Sequence, residues 1–541
     1  MILAAVLTCA CLQDAGGEWY VALRADGAMA DTRFGYAVSG SQDLDGDLTG
    51  EILIGASGFD VASGNEGAAL VLSGSTGSTV YQYWGSENSG SLGSAITRLP
   101  DIDNDGRDDF AFSAPNESPL ILAEGSVYVM SGRTGILHLR IDGTETGAFF
   151  GNYVASACDL DLDGTPDILV GAIDSDVIAP TAGASFVFSG ASGALLRTFG
   201  GALWAGNGRA GDGLGDVNGD GVPDYVISDI TNGGAVTVFS GADASVLYRL
   251  QSVLPYDDFG TDVANLGDLD RDGSSDFVVG ASAFLGLTTA HAYVYSGRYG
   301  TLLYELTGDL PKDQFGSSVA CADDVDGDGY SDIAVGAWHR ESSARGAAYL
   351  FSGYDGRQLV RLDGERDGDF FGREVSGLPD INGDGLGDVT IGAPGADNGI
   401  PGSGSVYAFA LDSYLKVSPQ SISAFGGGTV QFEMNFPLTE AGMNWILLAS
   451  SDKPGRIEVR GLSIPVVNSP LLQQMLVNPP RPFSATTGVL DGNGDAITFA
   501  VLAPGQASGL VGETFRFAAV SYMPLRDLRL SSAGIRITVV P

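Results

Sequence analysis

A nine-residue pattern with oxygen-bearing side chains at its first, third, fifth and ninth places, written DVNGDGVPD from Asp216, returns seven times, opening at Asp43, Asp101, Asp159, Asp216, Asp268, Asp324 and Asp380. The intervals are 58, 58, 57, 52, 56 and 56 residues. So regular a period is the mark of a repeat architecture, in which each unit buries its apolar face against its neighbours. It also explains how a chain of 541 residues, too long for one ordinary domain, can form a single large body. A chance polar turn has no reason to recur in the same context.

That context is consistent. Upstream stands a Phe-Gly pair, in RFGYAVSG from Arg33, FFGNYVAS from Phe149, DFGTDVAN from Asp258, QFGSSVAC from Gln314 and FFGREVSG from Phe370. The second unit has SLGSAI, and the fourth, GRAGDGLG, lacks the aromatic. Downstream come short β-rich runs: EILIGAS, DFAFSAP, DILVGAI, DYVISDI, DFVVGAS, DIAVGAW and DVTIGAP. A further strand ending in Ser-Gly follows, such as VYVMSG, then another such as ILHLRIDG. About four strands per unit, with almost no helical periodicity, predict an all-β seven-bladed propeller. The 80 glycines suit so many turns.

Phe-Gly, acidic loop and Gly-Ala-Pro in this order resemble the FG-GAP repeats of the integrin α-subunit head, over about residues 18 to 411. The segment from Glu18, EWYVALRADG, is similar to QLVRLDGERDG from Gln358, so the chain begins with what reads as the last strand of a blade. Blade seven, ending SVYAFALDS, is expected to take that strand and close the ring.

Carboxylates, amides and a backbone carbonyl suit Ca2+, which accepts several oxygen ligands at flexible geometry, better than Mg2+, which demands stricter octahedra. An EF-hand would need Glu at the twelfth place, but those places hold Ile54, Phe112, Val170, Ile227, Val279, Val335 and Ile391. The resemblance implies instead that the ninth-place acid closes the site and the seventh residue lends its carbonyl. The expected metal ligands are Asp43, Asp45, Asp47 and Glu51; Asp101, Asp103, Asp105 and Asp109; Asp159, Asp161, Asp163 and Asp167; and Asp216, Asn218, Asp220 and Asp224. The remaining loops add Asp268, Asp270, Asp272 and Asp276; Asp324, Asp326, Asp328 and Asp332; and Asp380, Asn382, Asp384 and Asp388. Up to seven calcium ions are expected. The first loop departs from the pattern, with Leu48 in the glycine place and Glu51 for Asp. The alternative is that Asp and Asn merely cap turns. A further segment, LDGNGDAITF from Leu490, has Phe499 at the ninth place and reads as a hairpin turn.

Beyond about residue 412 the period stops and alternating strands such as GTVQFEMNF and TFRFAAVSY, with prolines in NPPRP, predict a small β-sandwich-like accessory domain at 412–541 after a propeller at 16–411. Residues 1–15 read as a short signal peptide, although no basic residue follows Met1, and Cys11 admits a lipid-attachment reading. No other stretch is apolar and long enough to span a bilayer.

A net charge of −40 argues against nucleic acid or anionic lipid as partners and suits a protein that collects cations. Three histidines, His138, His291 and His339, fall at different repeat positions, and no nucleophile or phosphate-loop motif is present, so no enzyme is expected. Cys158 and Cys321, in non-adjacent units, read as buried small residues and not as a disulfide. Tyr83, Trp84, Trp204 and Trp338 are read as either sugar-stacking platforms or plugs between blades. Taken with the resemblance, the expected protein is a monomeric, secreted or surface-exposed calcium-stapled propeller that binds a protein or glycan. The alternatives are a purely structural surface protein and a polysaccharide-acting enzyme.

Overall fold

The computed structural model describes residues 12–14, 17–60, 64–86, 89–118, 123–180, 182–200, 208–229, 233–252, 257–283, 289–309, 313–338, 345–418, 421–451, 454–459, 462–467, 469, 471–472, 486–502, 504, 508–523 and 528–540. His339, Trp204, the NPPRP segment and residues 1–11 and 15 of the expected leader lie outside the described residues.

Seven antiparallel sheets form a propeller. Each runs from an inner strand to an outer one, as in blade five: Phe259–Gly267, Asp276–Ala281, His291–Tyr295 and Leu302–Thr307. The second strands are buried on both faces, which is why Asp276–Ala281 and Glu51–Ala56 read as unbroken apolar runs. The outer strands alternate toward their ends, with Glu305 and Thr307 exposed and Leu306 buried between them. Blade seven closes the ring as the sequence predicts: Gly17–Asp26 pairs with Ser405–Ser413, from Gly17 opposite Ser413 to Asp26 opposite Ser405. Leu12–Asp14 adds a short strand outside it.

The recurring glycines are explained by blade-to-blade contact. The Phe-Gly glycine donates its N–H to a carbonyl of its own second strand, Gly35 to Gly55 at 3.0 Å and Gly316 to Gly336 at 3.0 Å. Its carbonyl then presses on the glycine of Gly-Ala in the preceding blade. A Cβ on Gly55 would lie 2.0 Å from the oxygen of Gly93, one on Gly280 2.0 Å from Gly316, one on Gly336 2.2 Å from Gly372 and one on Gly392 2.1 Å from Gly35. The last contact joins blade seven to blade one. In blade four, Gly208 takes the Phe-Gly glycine's place, against Gly171 of blade three at 2.4 Å. In blades three, five, six and seven the Phe itself packs on an aromatic pair of the third strand, as Phe371 does on Tyr407 and Phe409, 5.4 and 6.0 Å between centroids.

Beyond blade seven, Leu415–Ser418, Gly428–Asn435 and Asp495–Leu502 form one sheet; Ser421–Ser423, Ile535–Val540, Thr514–Tyr522, Asn444–Ser451 and Thr487–Val489 form a second. The two face each other through Phe432, Met434, Leu447, Phe517 and Ile535, a sandwich whose core is continuous with Val325, Leu350 and Tyr407 of blades six and seven. The turn after Leu490 is not a hairpin: Thr487–Val489 and Asp495–Leu502 lie in different sheets, so this segment crosses the sandwich. Phe436 and Leu490 are both buried in that core, and crossing keeps the apolar side chains of both sheets inside.

Replacing Gly280 by Val forces a side chain into the Gly316 carbonyl and destabilises the protein by about 4 kcal/mol or more, whereas Gly492→Ala, with open space at the same atom, shifts stability by less than about 0.5 kcal/mol; thermal melts of the two variants check this.

Candidate metal loops

Each acidic loop joins the inner strand of a blade to its second strand, so all seven lie on one face of the disc. The first acid curls the loop: Asp101 accepts the Asp105 N–H at 3.0 Å and the Gly106 N–H at 2.8 Å, and Asp380 accepts those of Asp384 at 3.2 Å and Gly385 at 2.7 Å. The sixth residue must then turn through the left-handed region, with φ of 91° at Gly106, 88° at Gly221 and 83° at Gly385. In the first loop Leu48 takes that position with φ of 72°, and its side chain is 88% exposed.

The ninth acid closes the loop from below. Its carboxylate accepts the N–H of the loop's second residue, Ile102 to Asp109 at 2.7 Å and Leu269 to Asp276 at 2.8 Å. In blades two to six its other oxygen accepts the N–H of the Ser-Gly glycine: Gly132, Gly190, Gly241, Gly297 and Gly353, at 2.8–3.1 Å. A Cβ on any of these glycines would lie 1.9 Å from the carbonyl oxygen of the residue preceding that acid. The Ser-Gly motif, legible in the sequence only as a strand ending, is therefore the seat of the ninth-place carboxylate in these blades.

Five loops bring carboxylate oxygens within 4.8 Å of one another: Asp43, Asp45, Asp47 and Glu51; Asp101, Asp103 and Asp109; Asp159, Asp161 and Asp167; Asp268, Asp270 and Asp276; and Asp324, Asp326 and Asp332. Asp105, Asp163, Asp272 and Asp328 lie in the same loops, each turning its Oδ1 to the N–H of the seventh residue, as Asp105 does to Arg107 at 3.1 Å. In the fourth and seventh loops an amide stands at the third place; Asn218 donates to Asp220 at 3.0 Å and Asn382 to Asp384 at 3.3 Å, with Asp216, Asp224, Asp380 and Asp388 around them.

Hydrogen bonding within the loops leaves gaps that a turn alone does not require. Glu51 and Asp388 are fully buried, yet Glu51 Oε1 and Asp388 Oδ1 have no hydrogen-bond partner, and neither do Asp272 Oδ2 and Asp324 Oδ1. A buried, unpaired carboxylate oxygen is costly. The residues fit a hard cation bound among them. Burial, reinforced by Asp45, Asp43 and Asp47, pushes Glu51 up to about 8. Burial likewise raises Asp109, Asp167 and Asp276 to about 6, and carries Asp388 well above the carboxylate range with help from Asp384.

The other residues singled out in the sequence are scattered. His138 is on the outer strand of blade two and His291 on the third strand of blade five. Cys158 and Cys321 are free, and burial pushes the Cys321 thiol up to about 12. Tyr83 plugs the seam between blades one and two, 5.0 Å from the Phe112 ring. On the face opposite the acidic loops, a pocket of about 720 Å³ is lined by Arg33, Tyr36, Trp338, Phe370 and Arg373. There the Arg373 guanidinium lies over the Tyr36 and Trp338 rings at 4.8 and 5.6 Å.

The family model of the FG-GAP repeat matches residues 315–351 and 371–409, which are blades six and seven from the Phe-Gly aromatic to the third strand. The chain carries FG-GAP repeats. Its FG-GAP propeller is similar to integrin alpha-5 of Xenopus laevis, 32% identical over 228 residues, which are 38% of this chain and 21% of that protein. It is also similar to human integrin alpha-10, 35% identical over 181 residues, 30% of this chain and 15% of that one. Integrin alpha-4 of Xenopus laevis is 34% identical over 169 residues, 29% and 16% of the two chains. The matched part thus spans about a fifth or less of these relatives' own length. No helix among the described residues is long and apolar enough to cross a membrane.

Two outcomes follow. Leu48→Gly relieves the left-handed strain in the first loop and stabilises the protein by about 1 kcal/mol, read as a higher melting temperature. In chelator, stability rises as pH falls from about 8 to about 5. The folded-state values of Glu51, Asp109, Asp167 and Asp276, about 8 and about 6, lie above those of the unfolded chain, so ionisation opposes folding above them and ceases to do so below about 4. Melts across that range with chelator check the sign.

Proposed function

We propose that this protein is a secreted or cell-surface adhesion module: a monomeric propeller stapled by calcium on one face that holds a protein or glycan ligand on the other. The observation that carries the cation reading is the set of buried, unpartnered oxygens, Glu51 Oε1 and Asp388 Oδ1, in loops otherwise closed by their own hydrogen bonds. The places one, three, five and nine of the seven loops are the ligands, up to seven ions in all, and all-oxygen sets at turn positions favour Ca2+. The ions are structural: they neutralise carboxylates that burial otherwise drives toward protonation, and tie the inner strand of each blade to its second strand.

Binding on the opposite face is supported by the pocket around Arg373, whose aromatic rings and guanidinium groups suit a sugar or an acidic side chain. Similarity to integrin alpha subunits supports adhesion as the class of activity. Catalysis is not part of the reading, and the dispersion of His138 and His291 over different blades supports that. A leader at 1–15, a propeller at 16–411 and an accessory domain at 412–541 complete the proposal.

Asp224→Ala lowers the number of bound ions by one and lowers the melting temperature in calcium, because a ligand held only by the folded state stabilises it. Metal content by mass spectrometry, with melts in calcium and in chelator, tests this; an unchanged ion count overturns the assignment of that loop. Arrays of glycans and matrix proteins probed with the wild-type chain and Arg373→Ala test the ligand face, with binding expected to fall at least tenfold in the variant.

A further inference from the structure

The sixth loop is unlike the others because the C-terminal sandwich is seated on it. Arg456, on the segment before Ile457–Val459, reaches Asp326 Oδ2 at 2.6 Å and Asp328 Oδ2 at 3.7 Å. Arg516, on Thr514–Tyr522, lies 3.6 Å from Asp324 Oδ2 and donates to the Gly327 carbonyl, and Arg536, on Ile535–Val540, pairs with the same Asp324 oxygen. Arg357 of blade six adds a contact to Asp326 at 3.4 Å. The backbones interlock as well: Gly455 N–H donates to the Asp328 carbonyl at 2.8 Å and Gly534 N–H to the Asp326 carbonyl at 3.1 Å. Gly327 and Gly534 pack so closely that a Cβ on the first would lie 1.9 Å from the oxygen of the second.

Charge and burial decide what this does. Four guanidinium groups contact Asp324, Asp326 and Asp328 of a loop that carries four carboxylates, the fourth, Asp332, being held by backbone N–H groups, and Arg456, Arg516, Asp326 and Asp328 are each 5% exposed or less. The first loop, by contrast, meets one guanidinium, that of Arg107, which donates to the Leu44 carbonyl and stands 3.9 Å from the Asp43 carboxylate. Adding a divalent ion to an already balanced, buried cluster places like charges side by side where water screens them poorly. Removing the ion leaves the carboxylates to the arginines alone.

We propose that a divalent cation in the sixth loop and the arginines of the C-terminal sandwich compete for the same carboxylates, so that calcium there loosens the sandwich and the docked sandwich weakens calcium binding. The coupling is reciprocal, as linkage requires. It rests on the cation reading of the loops and makes one of them a calcium-responsive latch between the propeller and the sandwich.

The test uses the full chain, Arg536→Gln, whose side chain is half exposed, and Arg456→Gln. Bound calcium is counted at micromolar free calcium, and release of fragments from residues 412–541 by limited proteolysis is followed as calcium is raised. The expected result is that the variants bind calcium at one more site than the wild type, or bind the weakest ion at least tenfold more tightly, and that calcium accelerates cleavage of the wild-type sandwich. Equal ion counts and affinities in wild type and variants, with the other loops filled, overturn the competition alone, as does protection of the sandwich by calcium. Retention of no ion by any of the chains overturns the cation reading together with it.

Discussion

The structure depends on one close contact, repeated around the ring: a Phe-Gly carbonyl of one blade set against the Gly-Ala glycine of the blade before it. With Cβ positions 2.0–2.2 Å from those oxygens at Gly55, Gly280, Gly336 and Gly392, the inner and second strands of neighbouring blades pack backbone on backbone. The same contact fixes where every inner strand begins. In blades three, five, six and seven the Phe beside it packs against the aromatic residues of the third strand, and the loop that follows lands on the same face in each blade. Where the Gly-Ala glycine is replaced by Ser113 or Ser228, the facing glycines, Gly151 and Gly260, still leave the room, with Cβ positions 2.9 and 3.0 Å from the serine side chain.

The acidic loops take their order from this framework. Their ninth acid stands at the start of the second strand, in blades two to six accepts a hydrogen bond from the Ser-Gly turn, and is buried because that strand is. That burial raises the cost of its charge and leaves oxygens such as Asp388 Oδ1 without a partner. Fold and charge are therefore one problem: the position that holds the blade together is the position that carries a buried carboxylate. In the sixth blade that counter-charge comes from another part of the chain, through Arg456, Arg516 and Arg536.

Sequence alone determined the seven units, their strands, the loop positions and the strand exchange that closes the ring, because each is written in local pattern: alternation, glycine at fixed offsets, and similarity between the Glu18 and Gln358 segments. It marked the first loop as irregular through Leu48, and the backbone there takes the left-handed turn that glycine would prefer. Only the tertiary structure decided the rest. The role of Ser-Gly depends on a glycine 17 to 23 residues from the carboxylate it meets, as Gly241 is from Asp224 and Gly132 from Asp109. The turn at Leu490 joins two sheets, which no local signal distinguishes from a hairpin. The sandwich arginines on the sixth loop lie more than 100 residues from it in the chain, as Arg456 does from Asp326, and nothing in their neighbouring sequence sets them apart from any other arginine. Local pattern fixes what each segment can become; which charges meet is set by how the sandwich packs on blades six and seven, a matter of shape that the one-dimensional pattern does not carry.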